Sequence, residues 1–223
     1  MARLPDALRA SLDPHLHRVR LESGQPIFHA HEPLRAVYFP EIGVIALLTR
    51  LNGGETLEVG LVGKDGMVGV ALLPGVNMMP CDAVVQVGGT ALRMDSDVLK
   101  QAVKQPGLLH ELLGRYAYSL FAQGVQTAAC NAFHSVKERC ARWLLMTHDL
   151  VEGDEFPITQ NLLATMLGVR RPSITLVARA LRRARLIDYR HGRMKIRDRR
   201  GIEAASCECY RLVREEQHRL LGY

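Results

Sequence analysis

Between residues 18 and 94, apolar residues occur in short runs that are separated by glycine, proline and asparagine. Clear examples are residues 36–39, 43–48 and 56–59. The last two runs flank Asn-Gly-Gly at 52–54, a strong hairpin turn because glycine adopts positive φ angles without a Cβ clash. Regularly spaced short strands with such turns between them predict an antiparallel roll, barrel or sandwich.

The pattern changes to a helical period over residues 107–132. Residues on the predicted stripe are Leu108, Leu109, Leu112, Leu113, Tyr116, Leu120, Phe121, Gly124, Thr127, Ala128 and Asn131. Towards the C-terminal half, small residues dominate (Gly124, Ala128, Ala129 and Ala132), and these let two backbones approach closely. A long helix with one apolar stripe between two domains often forms a coiled-coil-like dimer seam. We expect a dimer here; the alternative is a helix that packs on its own domain.

A second helix is predicted after a break at residues 131–134. Ser135 can cap the free amides of its first turn, and Glu138, three residues later, completes a capping box. The helix is expected to run to about Leu150, where the acidic residues around 152–155 end it.

The segment that begins at Gln160 meets the packing requirements of a helix-turn-helix. Two helices that cross over a short turn need a small residue in the first helix, here Ala164. The turn needs a residue that tolerates positive φ, here Gly168. Apolar residues occupy the offsets that hold both helices on a core: Leu163, Leu167, Val169, Ile174 and Val177. Two arbitrary amphipathic helices would seldom fill every position, so we predict a helix-turn-helix of the DNA-reading type.

The second helix of this unit starts with side chains that suit a DNA groove. Pro172 fits the first turn, where its missing N–H would have no partner. Arginine can bind guanine O6 and N7 together, and short hydroxyls can contact bases or phosphates. We therefore predict DNA contacts from Arg170, Arg171, Ser173, Thr175 and Arg179. The cluster formed by Arg179, Arg182, Arg183 and Arg185 fits a solvated helix face equally well.

Residues 188–196 predict a hairpin with a tight turn near His191-Gly192. Arg190, Arg193 and Lys195 flank that turn. We expect these cations to lie along a phosphate backbone, a contact that positions a protein without carrying sequence information directly. Helix, turn, helix and hairpin together predict a winged helix.

The distribution of charge indicates a polyanion partner for the C-terminal third alone. Residues 151–223 carry 15 Lys or Arg against nine Asp or Glu, whereas residues 1–106 carry 10 against 11. The excess in the last third equals the net charge of +6 of the whole chain. Charge alone does not distinguish DNA from RNA or a membrane surface.

The remaining chemical groups predict no metal site, no cofactor and no catalysis. The five cysteines include no Cys-x-x-Cys pair, and Cys207-Glu208-Cys209 matches no common zinc or iron–sulfur spacing. We interpret them as reduced thiols, with a redox role as the alternative. No Ser-His-Asp or paired-carboxylate pattern stands out. His29 and His31 lack the further ligands of a cupin-type metal enzyme.

The chain also predicts no contact with a membrane. It contains no run of about 18 apolar residues. Residues 1–16 lack the basic patch and apolar run of a signal peptide. We therefore expect a cytoplasmic protein.

The order of β-roll, long helix, capped helix and winged helix-turn-helix resembles the Crp/Fnr family of bacterial regulators. The resemblance is most specific over residues 158–196, and it also shows at 37–40 (Val-Tyr-Phe-Pro) and 131–133 (Asn-Ala-Phe). It implies an α+β fold with three parts: an antiparallel, cyclic-nucleotide-binding-like sensory β-roll (1–106), a dimerisation helix and hinge (107–134), and a winged helix-turn-helix DNA-binding domain (135–223). It also implies a homodimer on a palindromic site in double-stranded DNA and, for activators, contact with RNA polymerase.

Three departures limit what the resemblance implies. Members that bind cyclic AMP need a glutamate for the ribose and an arginine for the cyclic phosphate. The matching residues 66–83 contain neither, and Asp82 would repel a phosphate. Iron–sulfur members carry an N-terminal cysteine cluster, whereas the first cysteine here is Cys81. Arg171 matches the family's first base-reading arginine, but Pro172 replaces a base-reading glutamate and Leu176 replaces the second such arginine.

The effector is therefore unknown, and a roll without a ligand is one alternative. The candidates for an effector pocket are Met67, Val68, Cys81, Asp82, Gln123 and Thr127. A second function class also stays open: a ligand-sensing or protein-interaction module whose winged helix docks on a protein rather than on DNA. The missing glutamate before Ser173 favours it.

Overall fold

A computed structural model describes residues 5–104 and 106–222. Residues 1–4 lie outside these ranges, so the expectation for the first 16 residues falls partly on residues that the structure does not describe. The N-terminal part contains a helix, which the apolar runs do not predict, and an antiparallel sheet, which they do. Its elements are α1 (Asp6–Leu12), β1 (His17–Leu21), β2 (Pro26–Phe28), β3 (Ala36–Arg50), β4 (Thr56–Val62) and β5 (Asp82–Asp95).

The sheet is organised around its two longest strands. Its order is β1-β5-β3-β4, and β2 also pairs with β5. Every ladder is antiparallel. The turn at 52–54 joins β3 to β4, and Gly54 adopts φ +89° there, which confirms the predicted hairpin.

Strand β3 is longer than the sequence predicts. Residues 36–39 and 43–48, predicted as separate strands, form one strand of 15 residues. Its pairing with β5 shifts register three times between Pro40 and Ile45. These bulges accommodate a proline that cannot donate a ladder hydrogen bond. At Gly43, a Cβ would lie 2.5 Å from the Val87 carbonyl oxygen, so glycine permits the close approach of two backbones.

Two helices follow the sheet, α2 (Ser96–Val103) and α3 (Leu108–Phe133). Helix α3 confirms the helix predicted over residues 107–132. One side of α3 packs into the core of the roll through Leu109, Leu113 and Tyr116. The other side leaves large apolar side chains exposed, namely Leu108, Tyr118, Phe121, Val125 and Phe133. The predicted stripe thus divides into a buried face and an outward face.

Helix α4 (Val136–Leu150) begins after a break of two residues, His134 and Ser135, which is shorter than predicted. Ser135 Oγ accepts a hydrogen bond of 3.3 Å from the Glu138 amide, and Glu138 Oε2 accepts one of 2.8 Å from the Ser135 amide. The predicted capping box is therefore present.

The C-terminal part follows the predicted order of helix, turn, helix and hairpin. Its elements are β6 (Glu155–Pro157), α5 (Gln160–Met166), α6 (Arg171–Arg183), β7 (Ile187–Arg190), β8 (Arg193–Ile196), α7 (Arg199–Ala205) and α8 (Cys209–Leu221). The strands pair in the order β6-β8-β7. Strand β6 was not predicted, because three residues are too few to show a period. Helix α8 packs back on α3.

The roll and the C-terminal part share one apolar core. Val44, Ala46 and Leu61 of the roll lie in the same buried cluster as Trp143 and Ile174. A second cluster fills the interior of the roll. The sequence predicts two domains joined by a hinge and does not indicate this packing. Within the described ranges, no helix is both long and apolar enough to cross a bilayer.

Candidate nucleic-acid interface

The turn between α5 and α6 has the geometry that the sequence predicts. Thr159 caps α5 by accepting a hydrogen bond of 3.1 Å from the Leu162 amide. Gly168 adopts φ +61°, a left-handed conformation that suits glycine because it lacks a Cβ. The Val169 amide then donates to the Ala164 carbonyl at 3.0 Å. Ala164 is buried, so a small side chain allows the turn to close over α5.

The predicted core positions hold both helices on the C-terminal core. Leu163, Leu167 and Ile174 are buried, and Val169 and Val177 pack against the same cluster from half-buried positions. Two further residues of α6, Ala178 and Leu181, are also buried. They continue the helical period from Ile174, so the period alone could have found them.

The N-terminal end of α6 is exposed and carries free cations. Arg170 is the N-cap and Arg171 the first helical residue, with Pro172 in the first turn as predicted. Both arginines are exposed, and neither forms a salt bridge with any residue that the structure describes. The first turn contains no acidic residue. The partial positive charge of the helix N-terminus therefore adds to the two guanidinium groups in attracting a phosphate.

The other residues of α6 that are predicted to contact DNA differ in exposure and in whether their side chains already form hydrogen bonds. Ser173 is half-buried and Arg179 is exposed. Thr175 Oγ1 lies 2.8 Å from Gln160 Oε1 and 3.2 Å from the Arg171 carbonyl oxygen. Its hydroxyl thus bonds within the helix-turn-helix. Leu176 is 67% exposed, which presents an apolar side chain beside the arginines.

The hairpin of β7 and β8 confirms the predicted wing. His191 adopts φ +49° and Gly192 φ +74°, and two successive positive φ angles match the type I′ turn that joins twisted strands. Arg190 and Arg193 are exposed on the two sides of the turn, and Lys195 is half-buried.

Carboxylates neutralise part of the wing, which no pattern in the sequence predicts. Arg193 Nε donates a hydrogen bond to the Glu155 carboxylate of β6. That bond holds the pKa of Glu155 below its usual value, so the pair is ionised at neutral pH. Asp188 lies 3.6 Å from the Arg190 guanidinium and 3.4 Å from that of Arg197.

The β3–β4 hairpin of the roll lies beside the helix-turn-helix. A groove between them is lined by Gly54, Glu55, Thr56, Thr165, Arg170 and Arg171. A Cβ on Gly168 would lie 2.9 Å from Leu57 Cδ1. The roll therefore contacts the turn that orients α6. No local pattern in the sequence indicates this contact.

The six candidates for an effector pocket lie in three separate environments. Met67, Val68 and Cys81 are buried in the core of the roll. The Asp82 carboxylate accepts hydrogen bonds from the Ala30 amide at 2.8 Å and from Arg50 at 3.3 Å. On α3, Gln123 Oε1 accepts from the Leu61 amide at 2.7 Å, and Thr127 Oγ1 accepts from Arg142 at 3.2 Å. Each of these polar side chains has a partner within the chain.

Two family models match the chain. The cyclic nucleotide-binding domain matches residues 18–106, and the Crp-like helix-turn-helix domain matches residues 138–205. The first match spans the sheet and α2, and the second extends from α4 into α7. Comparison with the curated proteins finds no match.

Solved structures share the fold over most of the chain. A Crp/Fnr-family protein from Eubacterium rectale is 15% identical with a TM-score of 0.72, covering 92% of this chain and 95% of that one. FixK2 from Bradyrhizobium japonicum is 13% identical with a TM-score of 0.74, covering 86% and 98%. CLP, a c-di-GMP-responsive global regulator from Xanthomonas campestris, is 18% identical with a TM-score of 0.67, covering 86% and 99%. With the two family matches in the same order along the sequence, the chain belongs to the Crp/Fnr family and has the fold of its DNA-binding transcription regulators.

Proposed function

We propose that the protein is a transcription regulator that binds a specific, roughly palindromic DNA site as a homodimer. This proposal rests on the exposed start of α6 in a complete helix-turn-helix, where Arg170 and Arg171 have no salt-bridge partner among the described residues. The N-terminal residues of a recognition helix contact base edges in the major groove. Free guanidinium groups at that point can bind guanine without first breaking an ion pair.

The residues of the reading helix have different roles in this proposal. Arg171 reads a base, because it matches the family's base-reading arginine and projects from the first turn. Arg170, Ser173 and Arg179 contribute base or phosphate contacts. The hydroxyl of Thr175 can contact DNA only after its hydrogen bond to Gln160 breaks.

The wing supplies contacts that do not depend on base sequence. Arg190, Arg193 and Lys195 lie along the phosphate backbone in this proposal. Since Glu155 binds Arg193 and Asp188 lies near Arg190, each of these arginines must exchange a carboxylate for a phosphate. The wing therefore contributes less to affinity than three free cations would.

The outward face of α3 supports the homodimer. Tyr118, Phe121 and Val125 are each more than half exposed, and the small residues Ala129 and Ala132 continue the same face. Positions 118, 125 and 132 are seven residues apart, the repeat of a helix that pairs with a second helix. A second copy of α3 would cover these side chains and hold two winged helices on one DNA duplex.

Residues 66–83 of the roll lack the side chains that bind cyclic AMP in the family. Residues 66–83 contain no glutamate and no arginine. A Cβ on Gly66 would lie 2.3 Å from the Tyr116 hydroxyl, so a side chain of α3 already occupies the space beside this segment. In this proposal the roll senses another signal or transmits none.

The experiment is to select binding sites from a random pool of DNA duplexes and to footprint the protein on the enriched site with hydroxyl radicals. We expect an inverted repeat with protection at two positions about 34–36 Å apart along the helix axis. A pool from which no sequence is enriched would contradict the proposal. Protein partners captured with an affinity insensitive to salt would favour a docking module instead.

A further inference from the structure

Four metal-binding side chains converge where α3 ends and α8 begins. Cys130 lies in the last turn of α3, and His134 follows the helix; Cys207 precedes α8, and Cys209 is its first residue. One nitrogen or sulfur atom from each lies within 4.8 Å of all the others. The three cysteines form a buried cluster of their own.

The distances within this cluster suit one tetrahedral ion. Cys130 Sγ lies 3.5 Å from Cys207 Sγ, and Cys209 Sγ lies 3.4 Å from His134 Nδ1. For Zn–S bonds of about 2.3 Å and Zn–N bonds of about 2.0–2.1 Å, a tetrahedron separates its ligand atoms by about 3.5–3.8 Å. A disulfide would need a sulfur separation of about 2.05 Å, and all five cysteines are free thiols.

The groups around the cluster resemble those that support a bound metal. His134 Nε2 faces Glu208 Oε2 at 3.4 Å while its Nδ1 faces Cys209. Metal-binding histidines commonly direct their second nitrogen to a carboxylate, which fixes the ring and raises its basicity. Gln126 Nε2 donates a hydrogen bond of 3.0 Å to Cys209 Sγ, as suits a sulfur that carries negative charge.

Two buried arginines provide compensating positive charge. Arg139 and Arg142 are almost completely buried, and neither forms a salt bridge with a carboxylate in the described ranges. Both interact electrostatically with the cluster, Arg139 with Cys130 and Cys207 and Arg142 with Cys130. A zinc ion bound by three thiolates and one imidazole carries a net charge of −1, and the positive charge of the two nearby guanidinium groups would stabilise it.

The three thiols of the cluster are buried, and burial favours a neutral thiol over an isolated thiolate. A thiol coordinates a metal as its thiolate, so a bound cation has to displace the protons.

We propose that Cys130, His134, Cys207 and Cys209 form a Cys3His site for a single Zn²⁺ ion. Binding converts three thiols to thiolates and releases three protons, with no change in oxidation state. The ligand atoms lie too close together for a multi-iron cluster, whose cysteines bind different iron atoms. The site ties α8 of the C-terminal part to the junction between α3 and α4.

The first test uses the unaltered protein. After reduction and removal of metal with a chelator under anaerobic conditions, the protein is titrated with Co²⁺, which reports its ligands by colour. We expect one equivalent per chain to produce the thiolate charge-transfer band and the intense d–d bands of tetrahedral cobalt. One equivalent of Zn²⁺ should then abolish them. No such bands in a folded, reduced protein would overturn the proposal.

Single substitutions test which side chains bind the metal ion. Cys207→Ala should lose stoichiometric binding, whereas Cys140→Ala, which removes a buried thiol outside the cluster, should retain it. Glu208→Gln should weaken Zn²⁺ binding roughly 10–100-fold, as loss of a partner behind a metal ligand does. Equal metal binding by Cys207→Ala and Cys140→Ala would contradict the assignment. So would a reduced protein that binds no metal but forms a Cys130–Cys207 disulfide in air, since that identifies a redox pair.

Discussion

Trp143 Nε1 of α4 donates a hydrogen bond of 2.7 Å to Glu58 Oε2 of β4. The two residues are 85 positions apart, and both are buried. A second buried contact, Gln86 Nε2 to Thr147 Oγ1 at 3.3 Å, also joins the roll to α4. The domain that carries the reading helix is therefore fixed to the roll through polar as well as apolar contacts.

The first prediction concerns the pH dependence of this contact. Burial raises the pKa of Glu58 from 4.5 to about 8, although the Trp143 hydrogen bond and Arg142 oppose the rise. The folded state thus retains a proton that the unfolded state loses. The stabilisation is complete below about pH 4.5 and is lost as pH rises through about 8. Between these values, Glu58 should lower the free energy of unfolding by at most about 1.4 kcal/mol per pH unit.

Urea unfolding of the wild type and Glu58→Gln across this range measures the effect. The glutamine retains an oxygen that accepts from Trp143 but cannot ionise, so its stability should fall less steeply with pH. Glu32→Gln, at an exposed position, is the matched control and should behave as the wild type. If the free energy of unfolding changes with pH equally for the wild type and Glu58→Gln, Glu58 does not have the raised pKa on which this prediction depends.

The second prediction concerns base reading. Arg171→Ala should cost about 1–3 kcal/mol on the selected site and relax specificity at one base pair per half-site. Arg20→Ala, an exposed arginine on the roll, should leave affinity unchanged. Anisotropy titrations against single-base variants of the site distinguish the possibilities. If Arg171→Ala weakens binding equally on every sequence, this side chain contacts phosphate only.

The third prediction concerns the neutralised wing. Glu155→Gln removes the partner of Arg193, so it should tighten binding to all sequences. It should also steepen the salt dependence by up to about 0.9 in log K against log salt, the value for one phosphate contact. Glu152→Gln is the control: it removes an exposed negative charge from the loop before β6, and Glu152 forms no ion pair with an arginine among the described residues. If the two substitutions change affinity equally, the effect comes from the loss of negative charge in general and not from the release of Arg193.

The fourth prediction concerns the outward face of α3. Val125→Arg should produce monomers, because a charge would be desolvated in the centre of the proposed helix pair. Val76→Arg changes a similarly exposed valine in the roll and should remain dimeric. Light scattering after size exclusion measures both masses. A dimer of unaltered stability in Val125→Arg would place the interface elsewhere.

Features set by neighbouring residues could be predicted from the sequence. The capping box of Ser135, the turn at Gly168 and the hairpin at His191-Gly192 each depend on a few consecutive residues, and the structure confirms all three. The helical period similarly identified α3. The prediction of two separate strands at 36–39 and 43–48 was wrong, because both form part of β3. Proline and glycine, here Pro40 and Gly43, occur at bulges within a strand as well as at strand ends.

Features formed between distant segments could not be predicted. The contact of Leu57 with Gly168 and the Trp143–Glu58 hydrogen bond both depend on how the roll packs against the C-terminal part. The Cys130–Cys207 contact joins residues 77 positions apart, so spacing within one motif gives no sign of it. The ion pair of Arg193 with Glu155 also could not be predicted, because it forms where β6, a strand that the sequence does not predict, pairs with β8.

Sequence-specific DNA binding can be tested by fluorescence anisotropy of the ligand-free protein on its selected site and on a scrambled duplex, at two salt concentrations. We predict tighter binding to the selected site, with affinity for both duplexes falling as salt rises. Equal affinity for the two duplexes, or binding that salt does not weaken, would contradict the assignment of this protein as a sequence-specific DNA-binding regulator.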